Sequence, residues 1–186
     1  MRVIESYLCE MALVIKGLPR ETIARVVDVL YQAWTQNRQI FLLGNGGSAA
    51  TASHFATDLG KGTILESQRR LKAIALTDNV PLLTAWANDF AFERVFVEQL
   101  ANLLEVRDVV IGISASGRSP NVVRAMEYAS ASGAVTVGCT GRDGGRLKDI
   151  VDHCICVPSD CVGQIEDAHL ILDHMITAAL RERMEG

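Results

Sequence analysis

The chain has 186 residues, 49% of them hydrophobic and 22% charged, with a formal net charge of −4. That length and balance suit one domain burying about 70% of its unfolded surface, and exclude a disordered or collagen-like chain. No basic block offsets the negative charge, so neither nucleic acid nor an anionic membrane is an expected partner, and a small anionic ligand has to be held by local groups.

In chain order, Met1 to Gly17 carries Glu5, Glu10 and Lys16 among its apolar residues, unlike a signal peptide, and no run approaches the ~20 apolar residues of a membrane span. Five cysteines without a Cys-x-x-Cys pair suit a reducing compartment, and a cytoplasmic location is expected. Helices are predicted over Val3–Lys16 and Arg20–Gln36, the second from the spacing of Ile23, Val26, Val27 and Leu30. Both precede the first strand, so residues 1–37 are expected to be a helical appendage of a single domain, 1–186, offering a face to another subunit. Strands follow at Gln39–Leu43, Lys72–Thr77, Val109–Ser114, Val135–Thr140 and His153–Val157. Between and after them, helices are predicted at Ser48–Leu59, Val80–Ala87, Phe92–Leu104, Asn121–Ser132, Gly145–Ile150 and Gly163–Arg183. The strands are almost continuously apolar, as strands covered on both faces are. The expected class is α/β, a three-layer α/β/α sandwich on a five-stranded parallel sheet.

Two loops stand out. Gly44-Asn45-Gly46-Gly47-Ser48 joins the first strand to a helix, its glycines admitting an anion to the backbone N–H groups at a helix N-terminus. Ser114-Ala115-Ser116-Gly117-Arg118-Ser119 follows the third strand, with Pro120 suited to a first helical position. Alone, each reads equally as a tight turn. Together, at carboxyl ends of parallel strands, they point to one phosphate-binding crevice. Gly44, Gly46 and Ala49 also satisfy a dinucleotide pattern, but no acidic residue ends the next strand at the required distance; Asp78 lies too far on. Neither loop has the Gly-Lys-Ser/Thr of a nucleoside triphosphate site.

Four side chains carry candidate chemistry. His54 and Asp58 share a helix face, and Glu166 and His174 lie about 80° apart around the last helix. They form a proton-transfer set, a metal site, or a solvated strip on a peripheral helix. Asn88-Asp89 reads as a turn or as a recogniser of hydroxyl groups.

With these residues, and with Ala87-Asn88-Asp89-Phe90, Thr140-Gly141-Arg142-Asp143-Gly144-Gly145 and Gln164–His174, almost the whole chain resembles the sugar isomerase (SIS) domain family, its phosphoheptose isomerase branch above all. The resemblance implies a homotetramer with active sites between subunits, and conversion of sedoheptulose 7-phosphate to the aldose phosphate through an enediol. It assigns Ser114, Ser116 and Ser119 to the phosphate, and Ser48 and Ala115, in the same two loops, are expected to bind the substrate as well. Asn45, Gly46, Gly47, Asn88 and Asp89 fall to the sugar, Glu166 is a further substrate contact, and proton transfer falls to His174 and to a carboxylate, Asp58 or else Glu166. His54, Asp58, Glu166 and His174 would hold a zinc ion. Three positions depart from the pattern: Asp58 stands for the family glutamate, Glu166 for a glutamine, and Gly62, beside Lys61, for an arginine. The same family includes phosphosugar-sensing regulators and a partner of the bacterial replication initiator, so a non-catalytic binding role is the alternative.

Overall fold

The computed structural model describes residues Met1–Gly186. Five apolar runs pair in parallel as β1 (Gln39–Gly44), β2 (Lys72–Ala75), β3 (Val109–Ser114), β4 (Val135–Gly141) and β5 (His153–Val157). Their spatial order is β2-β1-β3-β4-β5, so the chain reverses direction across the sheet between β1 and β3. Register opposes Gly44 to Ile113 and Ser114 to Thr140, which brings the carboxyl ends of the three central strands level.

Eight helices cover the sheet: α1 (Arg2–Lys16), α2 (Arg20–Thr35), α3 (Gly47–Thr57), α4 (Val80–Asp89), α5 (Val97–Leu103), α6 (Pro120–Ala131), α7 (Gly145–Ile150) and α8 (Val162–Glu185). Strand alternation divides the core in two. Ile40, Leu42, Ile111 and Ile155 pack with α2, α3 and α8, whereas Phe41, Leu43 and Val110 meet Phe96, Leu100, Val122 and Met126 on the other face. Both faces of the strands are therefore dry, as the apolar runs require.

Four details depart from the sequence reading. Ile23, Val26, Val27 and Leu30 of α2 belong to the first core, so α2 is a layer of the sandwich; α1 joins the same core through Met11 and Val14, and most of its other residues are exposed. The helix expected to reach Leu59 stops at Thr57, and Asp58–Gly62 forms a π-helical turn where Gly60 and Gly62 weaken the α-helical preference. The helix expected over Phe92–Leu104 is broken into a 3₁₀ turn at Phe92–Arg94 and α5. The neighbours Val95 and Phe96 are both buried, and the break lets both reach the core. Finally, β2 ends at Ala75, although the Leu76 N–H still donates to the Leu42 carbonyl at 2.9 Å.

Candidate active site

The β1–α3 and β3–α6 loops meet where the strand order reverses, the place at which open parallel sheets bind ligands. A cavity of about 270 Å³ opens there, lined by Asn45, Ser48, Ser114, Ala115, Ser116, Ser119, Arg142 and Glu166. Seven of these were expected from sequence as site residues; Arg142 was not, and nor were Ile113 and Val162, which also line the cavity. The signal for Arg142 lay in the Thr140–Gly145 run, whose contribution to the cavity depends on the β4–α7 loop folding back. Gly46 and Gly47 shape the first loop, Gly46 with φ +55° and Gly47 at the start of α3.

Hydroxyls set the character of the cavity. Ser114 Oγ lies 3.1 Å from Ser119 Oγ and 3.5 Å from Ser116 Oγ, so three rotatable donors converge at the start of α6. An anion is matched there by donors and by the helix dipole. The two loops are fastened to each other by the Asn45 and Asn121 amides, each donating to the other's Oδ1 at 2.8 Å. Asn121 is buried and was not among the expected site residues, because an asparagine at the second position of a helix leaves no mark of burial in sequence.

The serine loop is also braced from behind. Gly117 has φ +62°, and a Cβ there would strike the Gly144 carbonyl oxygen. The Leu147 N–H donates to the Gly117 carbonyl at 3.0 Å, and the Gly141 N–H to that of Ala115 at 3.1 Å. Arg118 closes the outside with two bonds to Asp143, of 3.0 and 2.6 Å, which hold that carboxyl down at about 2.

From this cavity α3 and α8 lead to a second group. His54 Nε2 and His174 Nε2 are 3.1 Å apart, and Asp58 Oδ2 lies 3.5 and 3.6 Å from them. The π-helical turn begins at Asp58, on the side of α3 that faces α8. Asp173 completes the cluster, with one ligand atom from each of the four residues within 4.8 Å of the others. Burial and then the Asp58 charge push its carboxyl up to about 7. Two imidazoles and two carboxylates are a donor set suited to a divalent transition metal. The Asp173 Oδ2, buried and without a hydrogen-bond partner, is the kind of atom a cation would satisfy.

Of the four metal-ligand candidates read from sequence, His54, Asp58 and His174 come together. Glu166 lies apart, its carboxylate against Gly47 on the rim of the serine cavity. Asn88 and Asp89 are exposed at the end of α4, where Asn88 donates to Asp89 Oδ1 at 2.8 Å, and neither lines the cavity of its own chain. A cavity of about 460 Å³ with Asp28, Arg107 and His153 lies at the opposite, amino ends of the strands, away from both loops.

No helix is long and apolar enough to cross a membrane. Residues 7–141 match the family described as SIS domain. The chain is 44% identical over 154 residues to a phosphoheptose isomerase of a Nitratiruptor species, covering 83% of this chain and 82% of the relative. It is 41% identical over 164 residues to the phosphoheptose isomerase of Geotalea daltonii, covering 88% and 85%. The structure of the phosphoheptose isomerase of Neisseria gonorrhoeae superposes with a TM-score of 0.89 at 30% identity, over 96% of this chain and 97% of that one. With a phosphate-type crevice at the family's expected place and matches over most of the chain, this protein belongs to the SIS domain family.

Proposed function

We propose that the protein is a phosphosugar ketose–aldose isomerase acting on sedoheptulose 7-phosphate. The observation that carries this reading is the pairing of a serine-lined crevice with a His/Asp cluster on the same two helices. Ser48 and Glu166 face the crevice, while His54, Asp58, Asp173 and His174 follow one to three turns further along α3 and α8. At 1.5 Å per residue, Glu166 and His174 are separated by about 12 Å along α8. That span suits a long sugar phosphate held by its phosphate at one end and worked on at the other. The identities to phosphoheptose isomerases support the choice of a seven-carbon substrate.

Ser114, Ser116 and Ser119 take the phosphate, with Ala115 and Ser48 beside them and Asn45, Gly46, Gly47 and Glu166 toward the sugar. With the substrate in its open form, Asp58 removes the proton from C1. Its Oδ2 faces both imidazoles, which leaves Oδ1 for this task. The electrons of the broken C–H bond form the C1–C2 double bond of an enediol, and the C2 oxygen gains a proton. His174 moves protons between the C1 and C2 oxygens, and return of the carbon-bound proton to C2 gives the aldose. Holding the phosphate fixes this geometry, so positioning adds to acid–base catalysis. A zinc ion on His54, Asp58 and His174, with one further carboxylate, supplies Lewis acidity to the carbonyl when bound.

Asn88 and Asp89 enter this reading through a second copy. Val3, Ile4 and Leu8 of α1 and Val80 and Phe90 at α4 are exposed apolar residues suited to subunit contacts, in a homotetramer with sites at its interfaces. The location proposed is cytoplasmic.

The test is turnover of sedoheptulose 7-phosphate by purified protein, with and without zinc, beside His174→Ala. Conversion that the variant loses is the expected result. Sugar phosphate binding without any conversion would refute the enzyme and leave a phosphosugar sensor.

A further inference from the structure

Asp173 has no place in the reaction described above, yet it is 0% exposed and sits on the face of α8 turned to His54 and Asp58. Its only hydrogen bond is a long one, 3.5 Å, from Thr177 Oγ1, and its Oδ2 has no partner. A buried carboxylate so poorly bonded costs stability unless a positive charge compensates it. Asp58 nearby adds a second carboxylate. The two imidazole Nε2 atoms face each other at 3.1 Å, where only one of them can donate. Four lone-pair atoms from four side chains thus converge, and the protein supplies too few protons to join them. Such an arrangement fits a ligand shell better than a hydrogen-bond network.

Glu166 is differently placed. Its carboxylate packs on the Gly47 backbone, at 2.6 Å from where a Cβ would stand, and lines the serine crevice. We infer that Asp173, and not Glu166, completes the metal shell of this chain, giving two imidazoles and two carboxylates, while Glu166 faces the bound sugar. The inference rests on the reading of the cluster as a metal centre. It gives the acidic residue at position 166 a separate role: a carboxylate in a sugar pocket accepts hydrogen bonds from hydroxyls that a glutamine amide would also offer to donate to.

The experiment is titration of the chelator-stripped full chain with Co(II), followed by its visible absorption, and with Zn(II) by calorimetry. Wild type is compared with Asp173→Asn and Glu166→Gln. Expected is one ion per chain in wild type, affinity weakened at least about tenfold with altered absorption bands in Asp173→Asn, and Glu166→Gln within about twofold of wild type with the same bands. Binding lost in Glu166→Gln and kept in Asp173→Asn overturns the assignment. Failure of wild type to bind either ion removes the metal centre itself, and the assignment with it.

Melting separates ligation from a packing role. Asp173→Asn without metal is expected to melt no lower than wild type, because an uncompensated buried carboxylate is gone, and to lose the rise in Tm that zinc gives wild type. A Tm lowered equally with and without zinc would make Asp173 structural and sink the inference.

Discussion

The Nε2 atoms of His54 and His174 lie 3.1 Å apart, although 120 positions separate the residues in sequence. One proton fits between them, so the pair is set to pass a proton or to share a cation. Replacing His174 by alanine is expected to lower kcat by about 10²- to 10⁴-fold, the usual contribution of a positioned acid–base group. The serine crevice is left intact, so affinity for the sugar phosphate, read by calorimetry, should change by no more than a few-fold. A variant that loses affinity and turnover together would place His174 in binding instead.

Ser119→Ala removes one of three converging hydroxyls. A hydrogen bond to a charged phosphate is worth about 1.5–3 kcal/mol. KM for the sugar phosphate should therefore rise about 10- to 100-fold, with the larger effect on KM and the smaller on kcat. An unchanged KM would move the phosphate away from this loop.

Much of this site was legible before folding. Glycine and serine at the ends of apolar strands mark anion loops because backbone access and helix dipoles need those residue types, and His54 and Asp58 share a face through helical spacing alone. What sequence could not give was reach. Asp173 and Glu166 both sit on α8 beside plausible partners, and which carboxylate meets α3 depends on how the helices cross and on the π-helical turn that carries Asp58. Spacing puts Glu166 and Asp173 about 20° apart in one sector of a straight helix, so only the packing of the helices decides between them. The core role of α2 escaped for a similar reason, since an amphipathic helix ahead of a first strand looks alike whether it covers that sheet or a neighbouring molecule.

Glycines 46 and 117 both have positive φ but differ in surroundings. A Cβ on Gly46 meets nothing within 4 Å, whereas one on Gly117 strikes the Gly144 carbonyl. Gly46→Ala should therefore cost about 1–3 kcal/mol, from backbone strain alone. Gly117→Ala should cost more than about 3 kcal/mol and disrupt phosphate binding as well. Chemical denaturation of the two variants checks the order, and equal midpoints would contradict it.

Burial holds the His169 imidazole neutral, its pKa down at about 4 from an ordinary 6.5, against a smaller opposing effect of its contact with the Thr140 carbonyl. Between pH 6.5 and 4 the unfolded chain takes up a proton that the folded chain refuses. Stability from this group therefore falls as pH falls through that window, by on the order of 3 kcal/mol. Asp173 acts in the opposite sense: its carboxyl, raised from 3.8 to about 7, keeps its proton in the folded state, so that its contribution falls as pH rises from about 4 to 7. The difference between wild type and His169→Gln, both in chelator, isolates the imidazole. The variant should gain on wild type as pH drops from 6.5 to 4, and parallel curves would refute the assignment.

Leu8→Asp, on the exposed apolar side of α1, is expected to shift the protein toward smaller species in light scattering while its folded-state circular dichroism is kept. A mass unchanged by the substitution would take α1 out of the subunit interface.

The contact of Gly117 with the Gly144–Gly145 backbone has a consequence for how such a protein can diversify. Main chain rests on main chain there, with no side chain between to be trimmed or enlarged. Lengthening either segment by one residue would unseat the other, so the two have to be inherited as one unit, changing together or not at all. Insertions are then tolerated in stretches free of this contact, such as residues 63–71 ahead of β2, where Arg69 bonds the end of α2 at the amino ends of the strands and the grip on the phosphate is left alone.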